Sequence, residues 1–138
     1  MNEEKLQRLR ERLSDGFAAY CGITADEVGE NFCSLSFETQ PQHLNPHGFV
    51  HGGMLFTLAD SAAGALACSL GREDSGVTQD AVIYYLRPAV GARLSARAQL
   101  VRAGRFTALM QVDITDERGR AIARSDVTIF FRDHLPKE

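Results

Sequence analysis

Residues 40–70 read QPQHLNPHGFVHGGMLFTLADSAAGALACSL, and the change of character halfway along sets the architecture. Up to Gly53 the stretch carries two prolines and three glycines. Proline removes a backbone donor and fixes φ, so neither a regular helix nor a central strand can run through this part. From Met54 to Leu70 there is no proline, and apolar or small residues cover nearly the whole circumference except at Thr57, Asp60, Ser61 and Ser69. A helix that is apolar on almost all sides is predicted to be buried on most of them.

Strands are expected on both sides of that helix. Upstream, Gly22–Thr39 holds two short strand-like pieces, the second alternating Phe32, Ser34, Ser36 against Cys33, Leu35, Phe37. Downstream, Val77–Leu86, Arg93–Val101, Phe106–Thr115 and Ala121–Phe131 are rich in Val, Ile, Thr, Phe or Tyr. The breaks at 87–91, 102–105 and 116–119 are short, which favours antiparallel neighbours over helical crossovers. At the N-terminal end, Leu6, Leu9 and Leu13 recur at helical spacing among charged residues, so residues 2–13 are expected to form a short amphipathic helix packed loosely on the body. The order of minor helix, two strands, long helix and four strands predicts an α+β fold: one antiparallel β-sheet wrapped around the long central helix.

The 138 residues fit a single domain, 1–138, because a second core would have too little chain to close. With 44% hydrophobic and 24% charged residues, the composition is that of an ordinary soluble globular protein. A formal net charge of −3 argues against a nucleic-acid partner, since such proteins carry a dominant basic face. Cys21, Cys33 and Cys68 are odd in number and lack CxxC spacing, so neither a disulfide framework nor a zinc ribbon is suggested and a reducing cytoplasm is expected. The start, MNEEKLQRLRERL, lacks the apolar centre of a signal peptide, and no run of about 18 apolar residues occurs; neither secretion nor a membrane partner is expected.

Asp60 is the residue this scheme explains least well, because an unpaired carboxylate in an apolar helix is costly to desolvate. Either it faces a solvent gap or a basic side chain, or it serves chemistry. The helix start argues for chemistry. At His51-Gly52-Gly53 the first N–H groups lack intrahelical partners and point along the positive end of the helix dipole, where a developing oxyanion could bind. Glycine there lets a ligand approach the backbone, although it is also an ordinary helix cap. Eight residues at 1.5 Å each separate Gly52 from Asp60 by about 12 Å, too far for both to act on one carbonyl. Two antiparallel helices related by a two-fold axis would bring Gly52 of one chain to Asp60 of the other, which predicts a homodimer with two equivalent shared sites.

The pattern Asn45-x-x-Gly48-x-x-His51-Gly52-Gly53-x6-Asp60 resembles the motif of the PaaI-type hot-dog thioesterases. The resemblance continues through Thr78-Gln79-Asp80, Tyr85-Leu86-Arg87-Pro88-Ala89 and the Arg102-x-Gly104-Arg105 turn, and so spans roughly residues 30–131. It implies the hot-dog fold, dimers that often pair again into tetramers, and hydrolysis of acyl-CoA, with aryl or arylacetyl esters first and medium-chain esters next. Coenzyme A is then part of the substrate and no separate cofactor is needed. By position, the resemblance makes Asp60 the base or nucleophile, gives the Gly52 N–H and Asn45 the thioester carbonyl, and lets Thr78 place the hydrolytic water. His51 would orient the loop or Asn45. Arg87, Arg102 and Arg105 are candidates for the CoA phosphates, since guanidinium suits phosphate oxygens.

Other chemistries find less support. His43, His47 and His51 recur every four residues, but Pro46 and Gly48 interrupt the helix that a metal-binding face would need, so no metal is expected. No GxSxG elbow, Walker loop or dinucleotide fingerprint is present. Two alternatives remain: a dehydratase or hydratase on the same fold, and a module that binds CoA esters without turning them over.

Overall fold

A computed structural model describes residues 2–74 and 76–136, which leaves the extreme ends of the 1–138 domain assignment outside the described residues. The elements in chain order are α1 (Glu3–Arg12), α2 (Gly16–Tyr20), β1 (Thr24–Gly29), β2 (Phe32–Glu38), α3 (Gly52–Cys68), β3 (Val77–Tyr85), β4 (Arg93–Ala103), β5 (Thr107–Asp116) and β6 (Ala121–Phe130). The strands form one six-stranded sheet in the order β1-β2-β4-β5-β6-β3, antiparallel throughout. This is the expected sheet wrapped on a long helix. The β1–β2 turn is made by Glu30 and Asn31, with Asn31 at φ 62°, a left-handed conformation that asparagine tolerates better than most residues.

Six residues of α3, Leu55, Leu58, Ala59, Ala62, Ala63 and Leu66, are buried together with Leu35, Phe37, Leu94, Ala96, Ala98, Met110, Val112, Ile114, Val127 and Ile129 of the strands. Alternate strand residues point to one face, and here that face is apolar, so the register is fixed by burial. Each fully buried Leu or Ile contributes about 2 kcal/mol. Alanines on both surfaces let helix and sheet approach closely.

Two expectations need correction, and one element was not expected. The N-terminal helix is not loose: Leu6 and Leu9 are buried, Asn2 N–H donates to the Val28 carbonyl at 2.9 Å, and Lys5 Nζ reaches the Ser69 carbonyl at the end of α3 at 2.9 Å. α3 begins at Gly52 and is not covered all round; Gly53, Phe56, Thr57, Asp60, Ser61, Gly64 and Cys68 form a stripe open to solvent in the single chain. The sheet leaves this side of the helix uncovered except where Thr78 of the edge strand β3 reaches Asp60. Finally, α2 has no counterpart in the sequence reading, because five residues cannot show a helical period.

Strand β3 lies at one edge of the sheet and is exposed along most of its nine residues, including Val77, Val82, Tyr84 and Tyr85. It carries a bulge: Thr78 pairs with Ile129 and Asp80 with Thr128, leaving Gln79 as the extra residue. A bulge flips the alternation. Thr78 therefore faces the same way as Ala81, Ile83 and Tyr85, towards α3. Among the described residues, no helix is long and apolar enough to cross a membrane.

Candidate active site

The loop that delivers α3 is held by its own side chains. Asn45 Oδ1 accepts from the N–H groups of His47 (2.9 Å) and Phe49 (3.1 Å), closing the turn around Gly48, whose φ of 84° suits glycine. Its side-chain NH2 meets no acceptor among the described residues. His43 is buried and saturated, with Nδ1 accepting from Gln40 N–H at 3.0 Å and Nε2 at 2.8 Å from the Cys21 carbonyl. That pairing leaves it no lone pair for a metal, and among the described residues no three His, Cys, Asp or Glu side chains converge on a metal-sized gap.

His51 does not reach Asn45 in the way one of its expected roles required. Its Nδ1 accepts the Gly53 N–H at 2.8 Å and caps α3, so the neutral ring carries its proton on Nε2. The Gly52 N–H, one residue earlier, meets no acceptor among the described residues. The capping histidine thus satisfies one terminal donor and leaves the neighbouring one for a ligand.

Two contacts from β3 complete the arrangement. Thr78 Oγ1 donates to Asp60 Oδ1 at 2.6 Å, and Tyr85 Oη donates to the Gly52 carbonyl at 2.8 Å. Both depend on the bulge at Gln79, which puts residues seven apart on the same face of the strand. Tyr85 is exposed as a residue, and the partial desolvation of its hydroxyl raises its pKa above the ordinary range. Asp60 is half-buried on the open stripe of α3, not enclosed, and its Oδ1 is the oxygen that Thr78 holds. Thr78, expected to help place the hydrolytic water, has its hydroxyl on this carboxylate. Tyr85 was part of the quoted motif but had no assigned role, because its contact with Gly52 crosses 33 residues of chain.

A cleft of about 350 Å³ is lined by Asn45, Gly52, Leu55, Tyr85, Leu86 and Arg87, among others. Three of the expected site residues meet there, including one of the arginines. Arg102 and Arg105 do not join them. They sit at the β4–β5 hairpin, whose Thr107 and Phe106 adjoin Phe130 and Phe131, beside the start of β3, whereas Arg87 follows its end. Arg105 lies 5.4 Å over the Phe106 ring, and its carbonyl accepts from Arg72. Asp60 likewise lies about 12 Å along α3 from Gly52. The free Gly52 N–H and the Asp60 carboxylate therefore lie at two separate places on one chain.

The family model described as the thioesterase superfamily matches residues 47–123. The chain is 32% identical over 111 residues to the acyl-coenzyme A thioesterase PaaI of Escherichia coli, covering 80% of this chain and 78% of that one. A hypothetical thioesterase from Streptococcus pneumoniae, solved with coenzyme A, superposes with a TM-score of 0.72 at 32% identity over 79% of this chain and 84% of the other. A Haemophilus influenzae thioesterase shares the fold at a TM-score of 0.90 and 24% identity, over 96% of this chain and 94% of that one.

Proposed function

The chain belongs to the thioesterase superfamily, and we propose that it hydrolyses an acyl-CoA, with an aryl or arylacetyl ester preferred, at sites shared between two copies. The observation that carries this reading is the pair of complementary half-sites: a Gly52 N–H without an acceptor at the start of α3, and Asp60 fixed by Thr78 on the open stripe of the same helix.

A second copy supplies what each half lacks. The exposed edge strand β3, with Val77, Val82 and Tyr84 exposed and the ladder groups on the side away from β6 unpaired, is a template for pairing with another strand. Two-fold pairing of β3 would run the two α3 helices antiparallel, open stripe against open stripe, and place Asp60 of one protomer near Gly52 of its partner. It would also carry the β4–β5 hairpin, with Arg102 and Arg105, towards the partner's Arg87 cleft, where all three could meet the CoA phosphates. Pairing of dimers into tetramers and a cytoplasmic setting belong to the same proposal.

In such a site the Gly52 N–H and the Asn45 NH2 donate to the thioester oxygen and stabilise the charge that develops on it. Asp60 of the other protomer either takes a proton from the water that attacks the carbonyl carbon or attacks that carbon itself. In both routes the carbon–sulfur bond breaks and the CoA thiolate leaves and takes up a proton; in the first the acid is released directly, and in the second water hydrolyses the Asp60 anhydride, which releases the acid and restores the carboxylate. Tyr85 fixes the Gly52 peptide from behind.

The direct test is free-thiol release from phenylacetyl-, hydroxybenzoyl-, medium-chain and long-chain acyl-CoA esters. Release that is fastest from the aryl esters is expected. Tight binding of every ester with no release would instead make the protein a CoA-ester-binding module.

A further inference from the structure

A second cavity, of about 300 Å³, opens on the other side of the first turn of α3. It is lined by Gly53, Met54 and Thr57 of that turn, by His51, and by Phe17 and Tyr20 of α2, whereas the Asn45–Arg87 cleft touches Gly52 and Leu55. The helix start that carries the donor N–H therefore separates two hollows of similar size and different chemistry.

The cavity facing α2 is built for an apolar guest. Several of its polar groups are committed: Thr57 Oγ1 donates to the Gly53 carbonyl, His51 Nδ1 accepts from Gly53, and both His43 ring nitrogens are used, which leaves the Gln42 amide, the Tyr20 hydroxyl and His51 Nε2 at its rim. No cation lines it. Phe17 and Tyr20 are 66% and 84% exposed, on a helix that buries no residue of its own, so their rings contribute little to the core. Left-handed glycines bound this helix, Gly16 at φ 82° and Gly22 at φ 79°, and set its direction independently of α1 and β1. Asp15 caps it. The segment is thus a short ordered platform that presents two aromatic rings beside the catalytic turn.

We propose that this cavity is the acyl subsite and that Phe17 and Tyr20, with Met54 beneath them, select an aryl-sized acyl group, while the CoA arm runs along the Asn45–Arg87 cleft. The inference rests on the thioesterase reading. It adds which side of the helix start each half of the substrate takes and which residues set specificity. Aromatic walls favour an aromatic guest through offset or edge-to-face contact, the thioether of Met54 is a good neighbour for a ring, and the volume lies at the small end of the range for ligand pockets.

The test is the ratio of kcat/KM for phenylacetyl-CoA to that for acetyl-CoA, measured for the wild type and for the double variant Phe17→Ala/Tyr20→Ala. Both side chains are exposed, so the variant should fold. The ratio is expected to fall about ten-fold, from a few-fold for each ring. The single variants Phe17→Leu and Tyr20→Leu keep apolar bulk without the ring, and each should shift preference from phenylacetyl- towards hexanoyl-CoA. An unchanged ratio in an active double variant would overturn the acyl subsite and leave the enzyme reading intact. A wild type inert towards every ester would overturn the thioesterase reading and this inference with it.

Discussion

Thr78 and Asp60 are joined by a 2.6 Å hydrogen bond that links the edge strand β3 to the open face of α3. The bond exists because Gln79 bulges out of the β3–β6 ladder and turns Thr78 towards the helix. One strand thereby holds two points of α3, Asp60 through Thr78 and Gly52 through Tyr85.

A hydrogen bond to a charged group is worth about 1.5–3 kcal/mol. Thr78→Val should therefore lower kcat by roughly ten- to a hundred-fold, and Thr78→Ser, which keeps the hydroxyl, should recover most of the loss. Steady-state kinetics of the three proteins check this; equal rates in Thr78→Val and the wild type would remove Thr78 from the site.

Tyr85→Phe removes only the hydroxyl that reaches the Gly52 carbonyl. A neutral hydrogen bond contributes about 1 kcal/mol, so kcat/KM should fall about five-fold. The residue is 52% exposed, and the melting temperature should stay close to that of the wild type.

The shared site can be tested by complementation. A Cβ at Gly52 would sit 3.1 Å from the Tyr85 ring and hydroxyl, so Gly52→Val should spoil the donor end. In a heterodimer with an Asp60→Asn chain, one site keeps both Gly52 and Asp60 while the other loses both. Equal mixing makes half the dimers hybrid, which restores about one quarter of wild-type activity. No recovery after confirmed subunit exchange would place both groups of each site in one chain.

Cys33 gives a prediction about stability and pH. Burial, with a smaller contribution from Cys68, pushes its thiol from 9.0 up to about 12, and Sγ donates to the Ala62 carbonyl. Because the folded value is raised, the thiol's contribution is fully present below pH 9 and is lost as pH rises towards 12. Across that window the wild type should lose about 1.4 kcal/mol per pH unit more than Cys33→Ala does. Urea unfolding of both proteins between pH 8 and 11 measures the difference.

Most of the fold could be read from the chain because each of its signals is local. The strands alternate, the turns carry Gly and Pro, and α3 announces itself as an unbroken apolar run after a loop rich in both. What escaped depends on distant residues. The bulge at Gln79 has no glycine to mark it, yet it determines which face Thr78 takes. α2 is too short for periodicity, and its exposed aromatics look like surface residues until the cavity beside them is seen. Asp60 is an odd residue in an otherwise apolar helix, but it lies on a stripe open to solvent, where the expense of full burial does not arise in the single chain. Gly52 and Asp60 were legible as a pair that one helix could not bring together, and that separation holds.

The central claim, that Asp60 drives thioester hydrolysis, is tested most directly by phenylacetyl-CoA turnover in the wild type and in Asp60→Asn, with folding and oligomeric state checked for both. Loss of a base or nucleophile commonly lowers the rate by about 10²–10⁴-fold, and the variant should show that loss in kcat while remaining folded. Turnover within a few-fold of the wild type would contradict the account.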